Sequence, residues 1–183
     1  MGEDDILKIL VTAEELDAIV GRIAAQIDRD YGNSDKRVVL VGILKGSVVF
    51  MGDLMKKLRT PVEIEFMRVS SYGAATRSTG KIDIRLDITR KDLSDCALII
   101  VEDIIDSGRT LSYLVEYLKE RGAGEIRTCT LLDKPSRRQV DFTPDYTGQV
   151  IPDEFVVGYG LDYAEQYRAL PYVGILKPEI YQQ

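Results

Sequence analysis

The sequence contains no histidine among its 183 residues. This absence excludes histidine-based catalytic triads and histidine zinc sites, and it removes the commonest general base of enzymes. Any acid–base chemistry must therefore fall to Asp, Glu, Lys, Tyr or Cys side chains.

Cysteine is also scarce, since the chain has only Cys96 and Cys129 and no CxxC pair. Both lie in apolar, strand-like runs, which favours core packing over catalysis or metal binding. No disulfide framework is expected. The composition fits a reducing cytosol and predicts a cytoplasmic protein.

A signal peptide and long apolar runs are missing as well. The first residues, MGEDD, are acidic where a signal peptide would be basic. Lys45 interrupts the longest apolar stretch, Val38–Met55, before it reaches membrane-spanning length. We therefore expect a protein without a membrane partner.

Positive charge is in deficit, because 24 Lys and Arg residues face 30 Asp and Glu residues, for a formal charge of −6. Neutralising nucleic-acid phosphates requires a basic surface, so no nucleic-acid partner is expected. A small phosphorylated ligand held by a local site remains compatible with this charge.

Helical and strand patterns alternate along the chain. Residues 12–15, TAEE, form a capping box ahead of an amphipathic helix. An unbroken apolar segment, typical of a strand buried on both faces of a parallel sheet, occurs at Val38–Leu44, and further strands are predicted at Ala97–Asp103 and Ile126–Leu132. The pattern predicts an α/β fold with a mostly parallel central sheet flanked by helices, and ligands at the C-terminal ends of the strands. Arg137–Ile151 has no regular pattern.

The stretch Leu98–Leu111, LIIVEDIIDSGRTL, is the most informative part of the sequence. It predicts a buried strand, a short polar loop and a helix. Unpaired backbone N–H groups at a helix start suit a phosphate. The loop has neither the Walker A spacing nor the Rossmann glycine pattern.

Three acids of this stretch, Glu102, Asp103 and Asp106, lie within a span of five residues. Like charges about 4 Å apart repel by about 4 kcal/mol at an effective dielectric constant near 20, so a cation or hydroxyl groups must intervene. Ribose hydroxyls and Mg²⁺ meet that need. The plain alternative is a solvated acidic turn at the start of the helix. Phosphate, sugar and magnesium together indicate a phosphoribosyl ligand.

The segment VEDIIDSGRT, residues 101–110, closely resembles the signature with which type I phosphoribosyltransferases bind 5-phosphoribosyl-1-diphosphate (PRPP). The resemblance is to the hypoxanthine-guanine branch, and it extends to LKGS at 44–47, SSYG at 70–73, LLDKPSRR at 131–138 and PDEFVVGYGLDYAEQYR at 152–168. It implies a type I phosphoribosyltransferase fold in one domain, 1–183. The core would span roughly 36–135, and residues 1–12 and 136–183 would build a small hood.

For the PRPP half of the site, the resemblance implies that Glu102 and Asp103 hold the ribose hydroxyls and Mg²⁺. Asp106 would be the general base beside the purine imidazole nitrogen. The 5-phosphate would be bound by Ser107, Gly108, Arg109 and Thr110.

The diphosphate would be bound by a loop containing Lys45 and Gly46, with a cis peptide at Leu44–Lys45, and by Arg168. Ser71 and Tyr72 would lie on a mobile loop closing over the reacting atoms. The polar composition of Ser70–Lys81 fits either such a lid or an unstructured hairpin tip.

For the purine half, Lys134 would donate to the exocyclic oxygen at C6, Phe155 would stack on the base, and Val156 would contact it through its backbone. Asp162 would bind a second Mg²⁺. Residue by residue, simpler readings are open: Lys134 as a turn lysine, Phe155 as a core residue and Asp162 as part of a surface turn.

The resemblance predicts transfer of the 5-phosphoribosyl group from PRPP to N9 of hypoxanthine and guanine, giving IMP or GMP and diphosphate. Mg²⁺ is the expected cofactor, and a homodimer or homotetramer is the expected assembly. Two alternatives remain: a PRPP-sensing regulator that binds RNA or DNA, and a transferase for a different base such as xanthine or a pyrimidine.

Overall fold

The computed structural model describes residues 2–71 and 82–182, and it contains two sheets. The strands are β1 (Ile6–Val11), β2 (Arg37–Ile43), β3 (Val62–Ser71), β4 (Ile82–Leu86), β5 (Cys96–Ile105), β6 (Glu125–Asp133), β7 (Tyr146–Val150), β8 (Val156–Val157) and β9 (Val173–Leu176). The α-helices are α1 (Ala13–Tyr31), α2 (Val48–Lys57), α3 (Arg109–Glu120) and α4 (Pro178–Tyr181). Two 3₁₀ helices cover Glu3–Asp5 and Pro135–Arg137.

The larger sheet has six strands in the order β4-β3-β2-β5-β6-β7. Strands β3, β2, β5, β6 and β7 pair in parallel, and only β4 is antiparallel to its neighbour. This confirms the predicted α/β fold with a mostly parallel sheet. The unbroken apolar runs arise because both faces of β2 and β5 are covered.

Side chains of β5 alternate between two apolar cores. Ile99 and Val101 pack on one face with α1 and α2, whereas Leu98 and Ile100 pack on the other face with α3. Helix α1 begins at the predicted capping box, in which the Thr12 hydroxyl accepts from the N–H of Glu15 and the Glu15 carboxylate accepts from the N–H of Thr12. Helices therefore flank the sheet on both sides.

The second sheet, β1-β9-β8, is built from the two ends of the chain. Val156, Val173 and Ile175 of this hood belong to the same apolar core as α1 and α2. The predicted hood is therefore present, and it is packed directly onto the larger sheet.

Two parts of the sequence interpretation need correction. The stretch Arg137–Ile151, which has no regular pattern, contains β7, and β7 extends the larger sheet beyond residue 135. The predicted strand Ala97–Asp103 ended at the acids, whereas β5 continues two residues further, to Ile105. Glu102 and Asp103 therefore lie inside the strand and not at its end. The assignment of 1–183 to a single domain stays a prediction.

Cys96 and Cys129 are buried and unpaired, as core residues are expected to be. Burial raises the pKa of both thiols. Within the described ranges, no helix is long and apolar enough to cross a membrane.

Candidate active site

The candidate residues gather where the parallel strands β2, β5 and β6 end. Lys45 and Gly46 follow β2, Asp106 follows β5, and Lys134 follows β6. The C-terminal ends of parallel strands meet at one edge of the sheet, which is where ligands bind in such folds. The hood reaches the same edge at Gly160, since a Cβ added to Gly160 would collide with the carbonyl oxygen of Gly46.

Glu102 and Asp103 form a partly buried acidic pair at the end of β5. Glu102 Oε1 accepts from the Asp103 N–H at 3.3 Å, and Asp103 Oδ1 accepts from the Ile104 N–H at 2.7 Å. Burial raises the pKa of both carboxyl groups, and the charge of Asp103 raises that of Glu102 further. Such a pair favours a bound cation or hydroxyl donors.

The loop after β2 lies directly against this pair. The Leu44–Lys45 peptide bond is cis, as the resemblance predicted. A Cβ at position 46 would overlap Asp103 Oδ2, so a larger residue here would displace the Asp103 carboxylate. The backbone of the β2 loop and the acidic pair therefore border the same space.

Residues 102, 104–108, 110 and 111 line a cavity of about 200 Å³ between β5 and the start of α3. Gly108 precedes α3 with φ of +78°, in the left-handed region that glycine adopts without strain. The Ser107 hydroxyl accepts from the Arg109 N–H at 3.3 Å. Thr110, in the first turn of α3, lines the cavity, so hydroxyls and helix-start amides surround it as a phosphate site requires.

Arg138 holds this loop in place, although the sequence alone assigns it no role. Its guanidinium donates to the carbonyl oxygen of Asp106 at 2.7 Å and to that of Phe142 at 3.0 Å. It also forms an ion pair with Asp133 at 2.6 Å, in which both side chains are largely buried, 16% and 11% exposed. The only signal in the sequence is its place at the end of the LLDKPSRR motif.

A cluster of opposite charges joins the hood to the β2 loop. Lys45 Nζ lies 2.9 Å from Glu165 Oε2. Arg168 lies 3.0 Å from Asp162 Oδ1 and 3.5 Å from Glu165 Oε2, and it donates to the Gly160 carbonyl at 2.7 Å. The hydrogen bond from Lys45 lowers the pKa of the Glu165 carboxyl. Glu165 is a second residue that sequence reasoning missed.

Three residues predicted for the purine half lie in distinct settings. Lys134 is buried, with 7% exposure, and its N–H donates to the Ile105 carbonyl at 3.0 Å. Asp162 is partly buried and paired with Arg168. Val156 is a buried residue of β8. Burial makes Lys134 unlike an exposed turn lysine, whereas Asp162 does belong to a turn, since its carboxylate accepts from the Glu165 N–H at 2.8 Å.

Phe155 is 37% exposed, so it is not a core residue. Its ring stacks on Tyr181 of α4, with centroids 4.6 Å apart and planes at 19°, and Tyr163 meets it edge-on at 5.7 Å. An exposed aromatic face in the hood suits a planar base.

The mobile-loop prediction concerns residues of which the structure describes little. Ser71 ends β3, where it pairs with Ile82 of β4. Tyr72 and the rest of the loop to Lys81 lie outside the described residues.

No group of three His, Cys, Asp or Glu side chains suited to a metal occurs in residues 2–71 and 82–182. Mg²⁺ is commonly bound by one or two carboxylates together with substrate phosphates, so a third protein carboxylate is not needed. The Glu102–Asp103 pair fits this kind of site, because burial has already made its two charges costly.

A turn suited to a phosphate at the start of α3, an acidic pair beside it and a hood that reaches the strand ends are features of a phosphoribosyltransferase. Residues 9–164 match the model of the family described as phosphoribosyl transferase domain. The chain therefore belongs to the phosphoribosyltransferase family.

Several relatives at 47–49% identity are named hypoxanthine-guanine phosphoribosyltransferase. The enzyme of Streptococcus pneumoniae is 49% identical over 181 residues, 99% of each chain, and that of Bacillus subtilis is 47% identical over 182 residues, 100% of this chain and 99% of the other. The crystal structure of a hypoxanthine phosphoribosyltransferase from Staphylococcus aureus superposes with a TM-score of 0.92 at 46% identity, covering 98% of this chain and 96% of that one. The resemblance inferred from the motifs is confirmed.

Proposed function

We propose that this chain transfers the 5-phosphoribosyl group of PRPP to N9 of hypoxanthine and guanine, with release of diphosphate. One observation carries the proposal. A cavity lined by Asp106, Ser107 and Gly108 lies beside the Glu102–Asp103 pair, at the same strand ends as buried Lys134, and Phe155 is exposed in the hood that reaches this edge. A phosphate, a ribose and a base can be held there side by side.

The PRPP half is held by the edge of the larger sheet. The amides and hydroxyls of Ser107, Gly108, Arg109 and Thr110 bind the 5-phosphate. Glu102 and Asp103 accept from the ribose hydroxyls and, with PRPP, hold Mg²⁺. When bound, Mg²⁺ supplies positive charge that stabilises the departing diphosphate.

The purine half is held by β6 and the hood. Phe155 stacks on the base, Lys134 donates to the oxygen at C6, and the backbone of Val156 contacts the ring edge. Donation from a buried lysine rejects bases without an acceptor at that position, because the cation would be left unpaired. Asp162 is kept as the proposed ligand of a second Mg²⁺.

In the reaction, the bond between C1 of the ribose and the diphosphate oxygen breaks and N9 of the base forms the new bond to C1. The Asp106 carboxylate accepts the proton from the imidazole nitrogen of the base. The electron pair of the broken bond leaves with the diphosphate, which the Lys45–Gly46 loop and Arg168 receive. As the C1–diphosphate bond breaks, positive charge develops on the ribose. Ser71, Tyr72 and the loop that follows exclude water, which would otherwise attack this ribose.

The test is to measure phosphoribosyl transfer from PRPP and Mg²⁺ to hypoxanthine, guanine, xanthine and uracil separately. We expect turnover with hypoxanthine and guanine, and none with uracil. Absence of transfer to every 6-oxopurine would overturn the proposal. We further propose a cytoplasmic homodimer or homotetramer, for which light scattering in solution gives the mass.

A further inference from the structure

Glu165 is the one charged side chain of the cluster that no step of the proposed reaction uses. It lies between Asp162 and Arg168, and its side chain is 64% exposed. A single carboxylate oxygen, Oε2, contacts both Lys45 Nζ at 2.9 Å and a terminal guanidinium nitrogen of Arg168 at 3.5 Å. These are the two cations assigned above to the diphosphate.

The backbone around Glu165 places it at this position. Ala164 and Glu165 have φ values of 49° and 66°, a left-handed conformation that residues with side chains rarely adopt. The Glu165 N–H donates to Asp162 Oδ2 at 2.8 Å. Tyr163 and Gln166 exchange two backbone hydrogen bonds, at 3.2 and 3.0 Å. The turn is therefore closed by its own hydrogen bonds, with the carboxylate toward the two cations.

A carboxylate oxygen and a phosphate oxygen offer the same chemistry to these donors, since both are anionic acceptors. The diphosphate and the Glu165 carboxylate are like charges, so the two anions do not share Lys45 and Arg168 without repulsion. Arg168 also has an unused donor, because its buried Nε has no hydrogen-bond acceptor among the described residues.

We propose that Glu165 is an internal competitor of the diphosphate, which occupies Lys45 and Arg168 between turnovers and speeds the release of the product. The inference rests on the proposed function, in which these cations receive the diphosphate. It predicts that Glu165 weakens diphosphate binding, whereas a residue that merely positions the cations would strengthen it.

The test is Glu165→Gln, which keeps the length of the side chain and removes its charge. Exposed ion pairs are individually weak, so losing two of them is expected to tighten the binding of magnesium diphosphate by about 3- to 10-fold. Isothermal titration calorimetry measures this affinity directly. Stronger product inhibition by diphosphate and a lower KM for PRPP are expected in steady-state kinetics.

Glu116→Gln is the matched control. It makes the same change in net charge, and Glu116 pairs with Lys119 at 2.7 Å on the exposed side of α3. We expect its diphosphate affinity to equal that of the wild type. Thermal unfolding of both variants checks that the fold is retained.

Weaker or unchanged diphosphate binding in Glu165→Gln would overturn the inference, and so would a wild-type protein that binds no magnesium diphosphate. Phosphoribosyl transfer is assayed in the same preparations. An active wild type with unchanged affinity in the variant removes only the competitor role, whereas an inactive wild type removes the proposed function.

Discussion

Asp106 contributes two different groups to the site. Asp106 lines the cavity between β5 and α3, its carboxylate is the proposed base, and its carbonyl oxygen accepts from Arg138. The chemistry proposed for the carboxylate and the position of the loop can therefore be tested by changing different residues.

Asp106→Asn removes the proposed base and keeps the shape of the side chain. We expect kcat to fall by about 10²–10⁴, the range for a general acid–base residue, with PRPP affinity nearly unchanged. Steady-state kinetics and PRPP titration separate the two quantities. Asp35→Asn, at an exposed position between α1 and β2, is the control and should behave as wild type. Undiminished turnover in Asp106→Asn would remove Asp106 from the role of base.

Arg138→Lys keeps the charge but loses the planar fork that reaches three acceptors. We expect unfolding free energy to fall by about 1–3 kcal/mol, because buried hydrogen bonds to a charged group are lost, and the KM for PRPP to rise. Urea denaturation and kinetics measure the two effects.

The neighbouring Arg137→Lys is the control for Arg138→Lys. Arg137 is 56% exposed and paired with Asp153, so its replacement is expected to lower the free energy of unfolding by less than about 1 kcal/mol. Equal effects of the two substitutions would contradict the anchoring role of Arg138.

At the scale of elements, the turn between β5 and α3 depends on one backbone conformation. Gly108 has φ of +78°, and a Cβ there would lie 3.0 Å from Cδ of Arg138. The same glycine that permits the turn therefore permits the packing of Arg138 against it.

Gly108→Ala is expected to cost about 1–2 kcal/mol of stability, from the left-handed conformation alone, and to raise the KM for PRPP. Gly21→Ala is the control, and its effect on stability is expected to have the opposite sign. It lies within α1 with nothing within 4 Å of the added Cβ, so a gain of about 0.5–1 kcal/mol is expected. Urea denaturation measures both, and a loss in Gly21→Ala matching that in Gly108→Ala would refute the conformational explanation.

The elements that sequence predicts are those whose pattern reflects burial. Strands β2 and β5 are covered on both faces, so their apolar runs are unbroken, and α1 carries its own start signal in Thr12 and Glu15. Strand β7 was missed because its five residues, YTGQV, contain a glycine and only two buried positions. Its identity as a strand depends on pairing with β6.

Over the whole molecule, the hood and the larger sheet share one apolar core. They also meet at the C-terminal ends of the parallel strands, where Gly160 lies against Gly46. The sequence motif identified the phosphate turn and its acids because these residues are consecutive. Arg138 and Glu165 were not identified, since the contacts that bring them to the site, with Asp106 and Lys45, join residues 32 and 120 positions apart in the chain and are set by tertiary structure.

A ligand held by both sheets should stabilise the whole protein. At a concentration 100 times its Kd, magnesium PRPP is expected to raise the free energy of unfolding by about 2.7 kcal/mol. For a chain of this size that corresponds to a rise in Tm of about 5–10 °C. PRPP with EDTA should give little shift, because its phosphates then meet the acidic pair without a cation. An equal rise with EDTA would exclude Glu102 and Asp103 from a magnesium site.

The stacked rings of Phe155 and Tyr181 have a practical consequence for spectroscopy. The chain contains no tryptophan, so Phe155→Trp would introduce its sole indole at the residue proposed to stack on the base. Excited at wavelengths that tyrosine does not absorb, the emission of that indole would come from one position. Quenching on addition of a purine would then follow occupancy of the stacking face in real time, independently of turnover.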